Sequence, residues 1–502
     1  MRRRLAAVLI VLVVLLGGTY VFVRATLASD FVRSTLEQQL AARLGQPVRV
    51  GSAGASLVPR ITIDLNDVSI GSPPPMHLET IHIGVGLRGL LSRTITDADI
   101  VVTGGRIRLP LAFPLLPPSP AAEPADAAGG ITVESVRVIA VRDFVLEGGG
   151  GRTIRLDLHA SLDGDQLHVS ELTARAERTE LRAAGTVNSL ARLEGQFEAS
   201  AGSLDLDEIV ALGSAFTSPT EGAEPASGST VPLHFAVKLT AAAGEFAGYG
   251  FNELTTTVDI APGRIALSPL GLRLFGGSFQ GSVHVDSRSG GPRLRIDGQL
   301  AGLNAAELLK ASDSPGGITG TLHGGVSLTG AGTDAGSLVR TSRGTITAAI
   351  TDGTMPHLEM VRAIVLAFGK PSGAPPEGSG SAFSRLGGTF RLERGTLTSN
   401  DLSMTSRDFD LTGGGSLTIE TGAVAAQTDV VLSNELTAQA GTDLRRHAQQ
   451  DGRVIVPARI SGTLQAPAIT LDVVAATRRA ITNELKRRAT DLLEGLFKKK
   501  RD

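Results

Sequence analysis

The feature that most constrains this chain is an alternation of apolar and polar residues with a period of two. It comes in short runs punctuated by glycine and recurs from Gly45 to Val473. The run Leu233-His234-Phe235-Ala236-Val237-Lys238-Leu239-Thr240 carries it most regularly. Arg152 to His159, Arg293 to Gln299, Phe390 to Glu393 and Ser416 to Glu420 repeat it. Successive side chains of a strand point to opposite faces, so each run makes a strand with one wet and one greasy side. The expected fold class is mainly β: an elongated, curved antiparallel β-sheet forming a hydrophobic groove, with an N-terminal transmembrane helix and a few short helices.

Composition narrows what the greasy side is for. The chain has no Cys, no Trp, two Tyr and 61 Gly, and its apolar content is mostly aliphatic. A sandwich of this length would centre its core on large aromatics, so aliphatic stripes point to a broad smooth surface. Without cysteine there is no disulfide framework and no thiolate metal site. The net charge of −2 hides two basic ends, Arg2 to Arg4 and the stretch after Arg478. The middle is mildly acidic, which argues against nucleic acid as a partner.

Leu5 to Val23 is uncharged and about long enough to span a bilayer at ~1.5 Å per residue. With basic residues before it, it reads as a membrane-spanning helix whose N-terminus is cytoplasmic. A signal peptide cleaved near Thr26-Leu27-Ala28 is the alternative, disfavoured by the length of the apolar run. Ser29 then caps a helix with Phe31, Val32, Leu36, Leu40 and Leu44 on one face.

Three stretches rich in Pro, Ala, Gly and Ser interrupt the alternation and read as flexible insertions: Pro110 to Gly130, Gly213 to Thr230 and Gly369 to Ser381. The chain therefore divides into a basic N-terminus and transmembrane helix (1–24), a first β region with its leading helix (25–109), the 110–130 loop, and a middle β-groove region (131–368, with the loop 213–230). The 369–381 loop, a last β region (382–475) and a basic amphipathic helix (476–502) follow. A weak internal repeat takes a strand into a short capped helix twice, at Leu204-Asp205-Leu206-Asp207-Glu208-Ile209 and at Leu303-Asn304-Ala305-Ala306-Glu307-Leu308. Further short helices are expected at 356–368 and 434–450.

No motif carries catalysis. Gly84-Val85-Gly86-Leu87-Arg88-Gly89 fits the dinucleotide fingerprint in letters, but strand pattern follows where a long helix is needed. Gly369-Lys370-Pro371 lacks the hydroxyl residue of a phosphate loop. His77 and His82, the closest histidine pair, fall on opposite faces of a regular strand, and no paired metal spacing occurs. The chain reads as a non-enzyme without metal or cofactor.

Its binding residues are instead the greasy strand positions. A lipid-holding groove wall would include Leu233, Phe235, Val237, Leu239, Ile265, Leu267, Leu294 and Ile296. In the tail, Ile481, Leu485, Leu492, Leu493, Leu496 and Phe497 form one helical side. Lys498, Lys499 and Lys500, with Arg479, Lys486 and Arg487, populate the rest. Such a helix fits an anionic membrane, with about 1 kcal/mol from each basic residue near the surface. It fits equally a protein partner, or a terminal helix closing the sheet edge.

Several of these segments, in this order, resemble the AsmA family of Gram-negative envelope proteins, related at the N-terminus to chorein-type lipid-transfer proteins. They are the anchor leading into Leu36 to Val48, then Leu87-Arg88-Gly89-Leu90-Leu91-Ser92, then Gly344 to Gly353. Leu386-Gly387-Gly388-Thr389-Phe390 through Asp401-Leu402 and the closing pair Val456 to Pro467 complete the series. Met355-Pro356-His357 departs from the family pattern. The resemblance implies a long β groove on an inner-membrane anchor, most of it periplasmic, involved in phospholipid passage or outer-membrane homeostasis. A second reading is a non-catalytic assembly factor that holds outer-membrane proteins through its strand edges.

Overall fold

The computed structural model describes residues 46–472 apart from 57–60, 72–75, 87–93, 110–131, 191, 218–232, 288–290, 312–316, 333–334, 441–448 and 451; residues 33–34, 37–38 and 40–41 are described as well. The helix expected at 5–23 and the basic helix expected at 476–502, with Leu485, Leu492, Leu496, Phe497 and Lys498 to Lys500, lie outside the described residues. Among the described residues no helix is long and apolar enough to cross a membrane.

The chain is mainly β and forms two compact units, Met1–Gly250 with Thr257–Pro262, and Phe251–Thr256 with Gly263–Asp502. The first unit contains β1 (Val48–Ser56), β2 (Ile61–Ile70), β3 (Met76–Val85), β4 (Thr94–Ile95), β5 (Ala98–Arg108) and β6 (Thr132–Val133). It continues with β7 (Ser135–Glu147), β8 (Thr153–Asp163), β9 (Gln166–Arg175), β10 (Glu180–Ser189), β11 (Glu194–Asp205) and β12 (His234–Phe246). β13 (Tyr249–Ala261) is divided between the units. The second unit holds β14 (Arg264–Leu274), β15 (Gly277–Asp286), β16 (Arg293–Asn304), β17 (Thr321–Ala331), β18 (Arg343–Met355) and β19 (Ser381–Glu393). β20 (Thr396–Thr405), β21 (Phe409–Thr418), β22 (Val424–Leu432), β23 (Gln449–Gln450), β24 (Arg453–Gly462) and β25 (Pro467–Leu471) complete it.

In the first unit neighbouring strands pair in the order β1-β2-β3-β5-β7-β8-β9-β10-β11-β12. The expectation of an antiparallel sheet needs correcting at two joints, since β5 pairs with β7 and β11 with β12 in parallel. The short pair β4 and β6 is parallel too. Parallel neighbours need a crossover connection of about a dozen residues or more. Between the strands of each joint lies one of the Pro-, Ala-, Gly- and Ser-rich stretches, 110–130 or 213–230, and the intervening chain is long enough for such a connection. The second stretch, expected as a loop, begins inside the helix Leu206–Thr217. In the second unit every pairing from β14 to β22, and on through β24 to β25, is antiparallel.

Strict alternation fails at regular places. Leu65 and Val68 both face inward although three residues apart: Asp67, at φ 55°, drops out of the pairing together with Glu79 opposite, and the register resumes unchanged. Leu267 and Leu270, Leu300 and Leu303, and Ser399 and Leu402 show a different, two-for-one step, with a register shift against β15, β17 and β21. Each step is a β-bulge, which bends the strand and increases its twist while returning the next side chain to the original face.

Helices close particular ends. At the start, Glu37 accepts a hydrogen bond from the Val50 N–H at 2.7 Å, and Leu40 and Ala41 pack on Val48, Val50, Leu65 and Val68. A carboxylate thereby satisfies a backbone donor of β1, whose one described neighbour is β2. In the second unit the helix Met360–Ala367 buries Met360, Ile364 and Val365 against Phe383, Met404, Phe409 and Val430. Burying a side chain of this size contributes about 1.5–3 kcal/mol. That helix falls within the expected 356–368, whereas the one expected at 434–450 stops at Gln439, and Gln449–Gln450 are strand. The 369–381 loop is pinned rather than flexible: Arg362 donates to the Pro375 carbonyl at 2.8 Å, Lys370 to the Gln439 carbonyl at 2.7 Å, and the Gly378 N–H to Glu359.

Candidate functional site

Register places the greasy positions of neighbouring strands side by side, so the period-two pattern becomes continuous rows across each unit. One row of the first unit runs Ala53, Leu65, Ile81, Val102, Val141 and Leu158. It continues through Leu172, Ala183 and Ala199 to Leu239 on β12. The next row ends Ile139, Ala160, Val169, Gly185, Phe197, Val237. A row of the second unit runs Leu267, Val283, Ile296, Leu328, Gly344 and Leu392, and goes on through Leu397 and Leu417 to Val424. No charged side chain interrupts these rows.

The eight residues singled out from sequence divide between the units. Leu233, Phe235, Val237 and Leu239 belong to the first, where Phe235 to Leu239 stand opposite Gly195 to Ala199 and the Phe197 and Phe235 rings lie 6.0 Å apart at 56°. Ile265, Leu267, Leu294 and Ile296 belong to the second, facing Val285 and Val283 of β15 from either side. Seven of the eight are half-buried, and Ile265 is 42% exposed. Sequence reasoning missed Val102, Val141, Val283 and Leu328, which hold the same rows. The alternation within each of their strands was the available signal.

The opposite face is wet and charge-paired. Arg137 donates to Asp99 at 2.8 Å, Arg175 to Asp157 at 2.9 Å and Lys238 to Glu198 at 3.1 Å, all between different strands. Such exposed pairs contribute little each, but they fix which side faces water. Asp297 accepts from Arg295 at 2.6 Å and from the Ser327 hydroxyl at 2.6 Å. These two hydrogen bonds, Arg295 first, hold its carboxyl below the usual carboxylate range. Hydrogen bonds from Thr389, then Ser399, do the same for Asp401.

His77 and His82 share this polar face, contrary to the expectation from spacing. His77 meets Ser69 and Asp67, and His82 meets Asp64. Between them Asp67 on β2 and Glu79 on β3 both drop out of the pairing while the register stays the same, so i and i+5 come out on one side. Among the described residues no group of three or more His, Asp or Glu converges on a point a metal ion would occupy. Buried carboxylates serve backbone instead: Asp205 accepts the Glu208 N–H at 2.7 Å, and Glu208 accepts those of Glu177 and Arg178.

With this geometry in hand, comparison with known proteins is informative. The family model for the AsmA family matches residues 1–112 and 235–402, more than half of the chain. The chain is also similar to Protein AsmA of Escherichia coli (strain K12), 24% identical over 263 residues. That stretch covers 51% of this chain and 42% of the relative, so less than half of the relative's length is matched. No solved structure matches.

Proposed function

The chain belongs to the AsmA family, and from that membership we propose that it is a non-catalytic, membrane-anchored protein that shields phospholipid acyl chains along its apolar strand faces, in the periplasm of a Gram-negative envelope. The observation that carries this reading is the set of uninterrupted apolar rows, most of whose side chains stay half-buried. Contiguous apolar faces larger than a few hundred Å² are rarely left to water by a soluble monomer, so rows of this length call for a covering. Each acyl CH₂ laid on it contributes about 0.8 kcal/mol, and equivalent neighbouring rows let a chain shift along without a large barrier. Residues 5–23 supply the inner-membrane anchor in this reading, and the basic tail, with Leu485, Leu492, Leu496 and Phe497, contacts a membrane or protein partner.

Lipid extraction of the protein purified without detergent, followed by mass spectrometry, tests it. Stoichiometric phospholipid is expected, and Phe235→Asp or Val237→Asp should abolish it while leaving the thermal transition in place. Full lipid occupancy in both variants would refute the reading. An empty protein that instead retains an outer-membrane protein would favour the assembly-factor alternative.

A further inference from the structure

Within the second unit, part of the apolar face is hollowed into a half-open, partly roofed recess of about 240 Å³. Its walls come from β18 to β22 and β24, with Ile350, Leu386, Leu402, Leu411 and Leu417 among them. One end abuts the packed core at Leu358 and Met404, both nearly inaccessible. The roof is built from two sequence-distant pieces. Leu309 and Ile318 approach from the segment after β16, Leu464 from the turn after β24, and Pro467 from the start of β25. They meet at Gly317, where a β-carbon would stand 3.6 Å from Leu464 Cβ and 3.9 Å from Leu309 Cδ1.

The lining decides what can enter. It holds no charged side chain, and its only polar ones are Ser399 and Ser416. The Ser399 hydroxyl is already engaged, donating to Asp401 at 2.9 Å. Water in such a place lacks the two to four partners it needs, and a headgroup would lie uncompensated. The volume falls below the ~300 Å³ of ordinary small-molecule sites, which suits one unbranched chain and not a whole two-tailed lipid.

We propose that this recess is a dedicated acyl-chain site: it takes one tail of a phospholipid whose headgroup and second tail stay outside. The inference rests on the lipid-shielding reading above but assigns a fixed resting place within it. On the open rows one position resembles the next. In the recess the chain is covered over part of its length and its end stops against Met404 and Leu358.

Photolabelling tests this with the full chain in vesicles of phosphatidylethanolamine and phosphatidylglycerol. The probe is phosphatidylethanolamine carrying a diazirine at the end of one tail, and labelled peptides are mapped by mass spectrometry. Label on Leu386, Leu402 or Leu417 is expected. Ala348→Phe, which pushes a ring into the recess, should lower it about tenfold, the equivalent of about two displaced CH₂ groups. Label confined to β12 and β14 to β16 would overturn the recess while leaving the lipid-shielding reading intact. No label on any strand would remove both. Recess labelling by diazirine-tagged free palmitate but not by the phospholipid would also overturn it. The wild-type map decides the matter even if the filled variant does not fold.

Discussion

At the scale of single residues, the polar groups of this protein act on backbone and on each other. Asp205 is buried at the point where β11 turns into the helix Leu206–Thr217, and one carboxylate oxygen caps that helix through the Glu208 N–H. The other pairs with Arg178 at 2.7 Å. Asp205→Ala should cost about 2 kcal/mol or more, because the cap is lost and neighbouring donors are left without it. Asp205→Asn should cost less than half as much, since asparagine also caps well; urea unfolding of the two variants separates them. This cap was legible in sequence, as was Asn304, whose side chain accepts from Ala306 and Glu307 at the start of Ala305–Ala311. Capping is local, a matter of one residue type before an apolar-periodic stretch. Asp297 offers a pH test of the opposite kind. Its carboxyl is held below the usual range by Arg295 and Ser327, so the folded state favours the ionised form. Its contribution is therefore present above the unfolded carboxylate range and lost as pH falls through the lower folded value. Melting curves should show Asp297→Asn less stable than wild type near neutrality, and the two converging in acid. Arg295 is well exposed, so the gap will be small.

At the scale of elements, the strands were legible and their irregularities were not. Leu233 to Thr240 alternates over its whole length and sits in β12 as expected. Leu300-Ala301-Gly302-Leu303 breaks the alternation, and the bulge opposite His323 shows why it must. A bulge is a two-against-one agreement between strands, so half of its cause lies in a partner that sequence order does not identify. The same limit hid the roof over the apolar recess, where Gly317 and Leu464 lie far apart in the chain. That closure is directly testable in a protein without cysteine. The 3.6 Å separation of β-carbons falls within the ~3.5–4.5 Å range of disulfides. Gly317→Cys with Leu464→Cys should therefore oxidise in air to an intramolecular bond, visible as faster migration on a non-reducing gel. Closing so long a loop should raise stability by up to about 5 kcal/mol. Two free thiols after oxidation would mean that the roof stands open in solution.

At the scale of the whole molecule, what the alternation could not reveal was chain direction. Apolar rows run unbroken through β5–β7 and β11–β12 although those neighbours are parallel, so side-chain pattern is blind to the sense of a strand. The long polar stretches carry that information, through their length rather than their composition. From Asp205 the chain must return to His234, which lies opposite Glu194, a distance of about 36 Å at ~3.3 Å per residue. The helix Leu206–Thr217 covers at most about 18 Å of this. Residues 218–233 then have to span the remaining ~18 Å, and at ~3.4 Å per residue they have ample reach. Removing 220–225 leaves ten residues and about 34 Å, so the fold should survive with an unchanged melting temperature. Removing 218–231 leaves two residues and three Cα steps, about 10 Å, too short for the return. In that deletion β12 can no longer pair in parallel with β11. The Phe197–Phe235 contact should be lost, and hydrogen exchange across Glu194–Asp205 should rise sharply. Equal protection in the two deletions would mean that the parallel joint does not depend on its crossover.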